Sequence, residues 1–182
     1  MKEIYQLKIT LQGIEPKIWR RILVPSTMSL PRLHRVIQAT MGWLDYHLHQ
    51  FVAHGVCYGV PDPDGLLETN NERNVKLSRL LKHEGDRIIY EYDFGDSWEH
   101  EIKLEKRRPF DPQVLLPVCL AGDRARPPED CGGIHGYQHL LEIIMDPGHE
   151  EYEDMLTWVG DGFGPENFDI DEINDALSRL AR

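Results

Sequence analysis

Apolar and polar positions alternate from Tyr5 to Leu11, with Tyr5, Leu7, Ile9 and Leu11 set against Gln6, Lys8 and Thr10. A period of two predicts a half-buried strand. Gly13 to Pro16 supplies a turn, and the branched and aromatic residues of Ile18 to Val24 predict the returning strand of a hairpin. The period then lengthens. Leu30, Leu33, Ile37, Met41 and Leu44 recur at helical spacing, Ser26, Thr27 and Ser29 offer N-caps, Pro31 suits a first turn, and Gly42 closes the pattern. His47 to Val60, mixed apolar and aromatic, is expected to form a third strand closed by Pro61-Asp-Pro-Asp-Gly65. A polar connection to Asn74 then leads to a short helix over Leu77 to His83.

The clearest hairpin follows. Ile88, Tyr90, Tyr92 and Phe94 share one strand face, Gly95-Asp96-Ser97 turns the chain, and Trp98, His100, Ile102 and Leu104 share one face of the return. Prolines at 109, 112, 117, 127 and 128 predict an irregular excursion. Helices are expected over Tyr137 to Met145, Tyr152 to Val159 and Ile170 to Leu180, the last opening on Asp169 and Glu172 in capping-box spacing. Strands first, a packed helix, a return to the sheet and then helices make an α+β pattern. The order points to a single domain over residues 1–182 with a β-grasp-like mixed sheet and additional C-terminal helices.

Composition narrows the class. A chain of 182 residues, 41% hydrophobic and 28% charged, can bury one full core. No apolar run approaches the ~20 residues of a membrane span, and Met1-Lys-Glu-Ile-Tyr5 begins with strand-like alternation, so a soluble cytoplasmic protein is expected. Cys57, Cys119 and Cys131 are odd in number and widely spaced, which favours reduced thiols. The net charge of -11 opposes non-specific binding to nucleic acid, which depends on neutralising phosphates. Lys17, Arg20, Arg21, Arg32 and Arg35 nonetheless form a basic N-terminal cluster. Alternation across Trp19-Arg20-Arg21 buries either Trp19 or Arg20, which favours one core residue with a solvated basic edge over a nucleic-acid surface.

Candidate chemistry concentrates in two turns, Tyr90-Glu-Tyr-Asp-Phe-Gly-Asp-Ser-Trp-Glu-His100 and Pro127-Pro-Glu-Asp-Cys-Gly-Gly133. Turns on a rigid scaffold are where binding groups tend to sit, so Asp93, Asp96, Trp98, His100, Glu129 and Asp130 are the candidate binding residues. Asp and Gly also serve turns structurally. His100, on an apolar face, needs a polar partner, and an acid of the Glu129-Asp130 turn is the expected one. Convergence of Asp93, Asp96, His100, Glu129 and Asp130 would suit a divalent ion or acid-base work. Asp93-Phe94-Gly95 imitates a kinase turn without the phosphate loop or catalytic loop of that fold. Cys131, His135 and His139, with Cys119 upstream, are a possible zinc set, but Gly132-Gly133 separates Cys131 from the helix. No metal ligand is assigned, and the residues specify no cofactor.

Leu7-Lys-Ile-Thr-Leu11, Gly13-Ile-Glu-Pro16, Ile18-Trp-Arg-Arg21, Leu33-His34, Gly42-Trp43 and His47-Leu-His49 continue into Tyr92-Asp-Phe-Gly-Asp96 with Trp98 and His100. Cys119-Leu-Ala-Gly122, Pro127-Pro-Glu-Asp-Cys-Gly-Gly133, Gly136-Tyr137 and Phe163-Gly-Pro-Glu-Asn-Phe-Asp169 complete the series. In this order the chain resembles the plasmid pRiA4b Orf-3-like family over nearly its whole length. Arg126 stands where relatives often carry a cysteine, and Gly164 where they often carry aspartate. The resemblance implies a fold and a plasmid or mobile-element setting. Two functions are therefore expected: a non-enzymatic interaction or accessory module with a protein partner, or a metal-dependent hydrolase using the turns at Asp93-Asp96 and Glu129-Asp130.

Overall fold

The computed structural model describes residues 3–61, 69–160 and 162–180. Strands β1 (Glu3–Leu11) and β2 (Trp19–Pro25) form the expected first hairpin. Helix α1 (Leu30–Met41) starts with Pro31 in its first turn and ends at Gly42, whose φ of 89° suits a residue without a Cβ. Ser29 occupies the N-cap position, yet its side chain makes no capping bond there. Ser26 instead accepts a bond from the Glu3 amide at 3.1 Å.

The expected third strand is two strands, β3 (His49–Ala53) and β4 (Val56–Gly59). His54 and Gly55 both have positive φ and connect Ala53 to its partner Val56. This is a two-residue hairpin turn of the kind that follows strand twist; histidine in place of the usual Asn hides it. Beyond Pro61, the turn expected up to Gly65 lies outside the described residues. Asn70–Asn71 adds a short strand, β5, parallel to β4, and the expected Leu77–His83 helix is the single turn α2 (Leu77–Leu80).

Strands β6 (Arg87–Tyr92) and β7 (Trp98–Pro109) form the second hairpin, with Ile88, Tyr90, Tyr92, Trp98, His100, Ile102 and Leu104 all buried. Phe94 leaves that face and is exposed, because Asp93 takes φ 58° and ends the strand at Tyr92. The proline-rich stretch contains a further strand, β8 (Val118–Asp123), paired to β2. Prolines on either side of it obscured its alternation. Helices α3 (Gly133–Met145), α4 (Tyr152–Val159) and α5 (Ile170–Leu180) follow. Asp169 caps α5, its Oδ1 accepting from the amides of Asp171 and Glu172 at 2.9 and 3.0 Å.

The strands make one sheet in the order β5-β4-β3-β6-β7-β1-β2-β8. All pairs are antiparallel except β4 with β5, so the sheet is mixed and the class α+β. A hairpin, a packed helix and a return to the sheet are present. The sheet extends well beyond those elements, and β1 and β7 run antiparallel, so the pairings support a single α+β domain rather than the narrower β-grasp label. The buried residues of α1 join those of β1, β6 and β7 in one core. Among the described residues, no helix is long and apolar enough to cross a membrane.

One buried group departs from the apolar pattern. Arg20 is buried, and Trp19 lies half-buried between the cations of Lys8 and Arg21. Arg20 donates from Nε to the Thr40 carbonyl at 2.9 Å, from Nη1 to the carbonyls of Trp19 and Asp123, and from Nη2 to that of Arg124, each at 2.8 Å. Burial lowers its pKa to about 10, which leaves it protonated at neutral pH. The planar fork satisfies carbonyls on three segments, a task that a lysine ammonium cannot perform from one point.

Arg20→Ala is expected to destabilise the fold by at least about 3 kcal/mol, since several buried carbonyls lose a charged donor. Arg20→Lys should recover less than half of that loss. Urea unfolding of the three proteins at pH 7.5 checks both values.

Candidate functional site

The structure joins the two acidic turns. Gly132, at the head of α3, donates its amide to Asp96 Oδ2 at 3.1 Å. Gly133 has φ 67°, and a Cβ there would stand 2.8 Å from the Asp96 carbonyl oxygen. Glycine therefore permits the close approach.

Each carboxylate is anchored by its surroundings. Asp93 Oδ1 accepts from the amides of Gly95 and Asp96 at 2.9 and 3.3 Å, an Asx-type turn that leaves Oδ2 directed elsewhere. Glu129 Oε1 accepts from the Leu44 amide at 2.8 Å and from the Tyr92 hydroxyl at 3.3 Å. The Asp93 amide donates to the Leu48 carbonyl, which draws the segment before β3 against the first turn.

His47 is the residue on which these groups close. Its Nε2 lies 2.9 Å from Asp130 Oδ1, 3.6 Å from Asp93 Oδ2 and 3.9 Å from Glu129 Oε2. The approach of Asp130 is short but poorly directed, so Nε2 is shielded from solvent yet makes no hydrogen bond. Glu129 Oε2 is in the same condition. Trp43 is buried in the core, Tyr46 is exposed, and His47, expected to open the third strand, instead faces the acids ahead of β3. A histidine beside aromatics gave no sequence signal for that role; the turn that directs it, with Asp45 at φ 58°, is visible only in three dimensions.

His100 and Trp98 lie elsewhere. Both are fully buried, and the partners of His100 are Trp43 and Tyr90 rather than an acid. Trp43 Nε1–H donates to His100 Nε2 at 3.2 Å, so the remaining ring proton is on Nδ1 and donates to the Tyr90 carbonyl at 3.3 Å. Burial pushes the His100 pKa down to about 4 and keeps the ring neutral. The convergence therefore comprises Asp93, Glu129 and Asp130 with His47, supported by Asp96. The expected constellation is therefore not formed with His100, which the strand alternation buries against Trp43 and Tyr90.

A second polar group adjoins the first. His34 and His49 stack with ring centroids 3.6 Å apart. Gln38 donates to the Tyr90 hydroxyl, Tyr90 donates to His34 Nδ1, and His34 Nε2–H donates to Asp45, each at 2.9 Å. Asp45 donates its amide back to Gln38 Oε1, which closes the ring. His49 Nε2 faces the buried Glu72 carboxylate at 3.2 Å. Burial and the neighbouring His49 lower the His34 pKa. A cleft of about 310 Å³, lined by His34, Asp45, His47 and His49 among others, opens over the stacked pair and reaches His47.

The cysteines take no part in a zinc set. Among the described residues, the group able to hold an ion is His47, Asp93 and Asp130, without Cys131, His135 or His139. Burial, followed by the charge of Asp96, pushes the Cys131 thiol up to about 12, and burial raises that of Cys119. Neither is a thiolate nucleophile at neutral pH.

A groove of about 1010 Å³ runs from Glu129 past Trp43 and Leu44 to Trp158, Phe163 and Phe168. Arg126 lies over Trp43, 4.9 Å from the ring centroid, and donates to the carbonyls of Gly42 and Pro127 at 2.6 Å each. It pins the second acidic turn to the end of α1.

Comparison with known proteins matches residues 3–172 to the family described as plasmid pRiA4b ORF-3-like protein. Uncharacterized protein y4hQ of Sinorhizobium fredii is 38% identical over 180 residues, covering 98% of this chain and 92% of that protein. The crystal structure of MM3350, a protein of unknown function from Methanosarcina mazei Go1, is similar with a TM-score of 0.86 and 43% identity. That match covers 94% of this chain and 98% of the other.

The buried histidines give the fold a pH dependence. His34 and His100 have lowered folded-state pKa values, so the unfolded chain binds more protons as the pH falls below about 6.5. Their contribution is complete above that value and is lost towards pH 4, with His100 alone contributing about 3 kcal/mol over the window. Glu105, held down to about 2 chiefly by its hydrogen bond from Arg21, loses its contribution only at lower pH. Urea midpoints measured from pH 7.5 to 4.5 should fall steadily below pH 6.5, and a flat profile would contradict the neutral buried rings.

Proposed function

We propose, from the premise that the chain belongs to the plasmid pRiA4b ORF-3-like family, that it is a binding module for a protein partner. The binding surface is the groove that ends at the joined acidic turns. The observation that supports this reading is the groove's pairing of uncovered apolar side chains with acids. Leu44 is 51% exposed and Trp158 48% exposed at its walls, and Glu129, Asp169 and Glu172 also line it. Its two cations, Arg20 and Arg126, are committed to backbone carbonyls. A segment carrying apolar anchors and a lysine or arginine complements that surface, because aromatic-lined concavities supply binding energy and the acids supply orientation.

Duplex DNA does not suit the same surface. The chain carries a net charge of -11, and the most deeply placed arginine of the basic N-terminal cluster is buried.

Selection of random peptides on the immobilised protein, with counter-selection on the Leu44→Asp/Trp158→Asp double variant, tests the reading. Enriched peptides should combine apolar anchors with lysine or arginine, bind the unmodified groove and weaken as salt rises. Peptides that bind the double variant equally well, or no enrichment at all, would overturn it. Self-association abolished by the same substitutions would assign the groove to a second copy of the chain instead.

A further inference from the structure

We propose that His47, Asp93 and Asp130 hold one first-row divalent transition-metal ion, with the Glu129 carboxylate facing His47 beside it, and that the ion fastens the two acidic turns together. An acidic cluster alone would not carry this, since acids in turns serve the backbone. The independent observation is Glu129, whose side chain is only 9% exposed and whose Oε2 has no hydrogen-bond partner while pointing at His47. A buried carboxylate oxygen left unpaired is costly unless something positive meets it. His47 Nε2, solvent-shielded and equally without a hydrogen bond, faces the same point.

Distances agree with a shared ion. Donor atoms about 2.1 Å from one metal stand about 3.0 Å apart at right angles and about 3.4 Å apart at tetrahedral angles. Asp130 and Asp93 oxygens lie 2.9 and 3.6 Å from Nε2, while Glu129 Oε2, 3.9 Å from Nε2, stands beside that set and adds negative charge to it. The candidate ligand atoms of His47, Asp93 and Asp130 all lie within 4.8 Å of one another. The far oxygens of Asp93 and Glu129 are held by Gly95, Asp96, Leu44 and Tyr92, so one ligand and the neighbouring carboxylate are oriented before any ion arrives. One imidazole with carboxylates suits manganese, iron(II) or zinc, whereas calcium and magnesium favour sites built from oxygen alone.

The site stands apart from the groove reading, and its test requires no peptide. The full chain, stripped with a chelator, is titrated calorimetrically with manganese and with zinc, using calcium and magnesium as comparators. Binding of one manganese or zinc ion per chain is expected, weakened more than about tenfold by His47→Gln and by Asp130→Asn. Asp130 has a side chain 67% exposed, so its variant should unfold at the same temperature as the parent without metal. Manganese should raise the melting temperature of the parent and not of the variants. Electron spin echo measurements on the manganese form should show coupling to one imidazole nitrogen that disappears in His47→Gln. Absence of one-to-one binding, retention of binding in both variants, or a manganese signal without nitrogen coupling would each overturn the proposal.

Discussion

The Arg20 guanidinium sits where β2, the end of α1 and the end of β8 meet, and its charge is answered by four carbonyl oxygens. Burying a charge without compensation would cost far more than a single contact returns. Oriented carbonyl dipoles make it tolerable here, and Phe168 covers one face of the guanidinium at 5.0 Å. The same bonds fix Asp123 and Arg124, and with them the start of the loop that carries Glu129 and Asp130. Arg126 then anchors that loop a second time by lying over Trp43 and bonding the Gly42 carbonyl. The two acidic turns meet because one buried cation and one stacked cation set the path of the chain between β8 and α3.

From the other side, the first turn is fixed by the β6–β7 hairpin and by Asp93, which ends β6 with its backbone and closes the turn with its side chain. Glu129 crosses the junction to the Leu44 amide, and Asp96 crosses it to the Gly132 amide. These carboxylates therefore act as structural ties through one oxygen. The outward oxygens of Asp93 and Glu129 remain for His47. One oxygen of each side chain serves the backbone or a hydroxyl and the other faces His47, so the presence of acids in a turn does not by itself decide between a structural and a binding role.

How much of this was legible in the sequence follows from the range of each signal. The β1–β2 and β6–β7 hairpins, α1 and the three C-terminal helices were readable because period, caps and turn residues are local. The His54-Gly55 hairpin was missed because His at a positive-φ position carries no propensity signal comparable to Asn. Strand β8 was missed because Pro117 and the prolines before it suggested irregular chain, although pairing to β2 needs only six residues. Asp93, Asp96, Glu129 and Asp130 were found from the density of acids in turns. His100 was misplaced for a specific reason: strand alternation correctly put it on the buried face, but its partners, the Trp43 indole and the Tyr90 carbonyl, are set by tertiary packing. His47 was missed as a member of the group, since its direction depends on the Asp45 turn and not on any period.

The dependence of the junction on Arg20 is tested most directly by amide hydrogen exchange at Leu44 and Gly132, residues outside regular structure whose N–H groups donate to Glu129 and Asp96. The account predicts that both amides are protected well beyond loop rates in the parent protein and that Arg20→Lys, under conditions where the sheet stays folded, removes both protections together. Loop-rate exchange in the parent, or protection unchanged in Arg20→Lys, would contradict it.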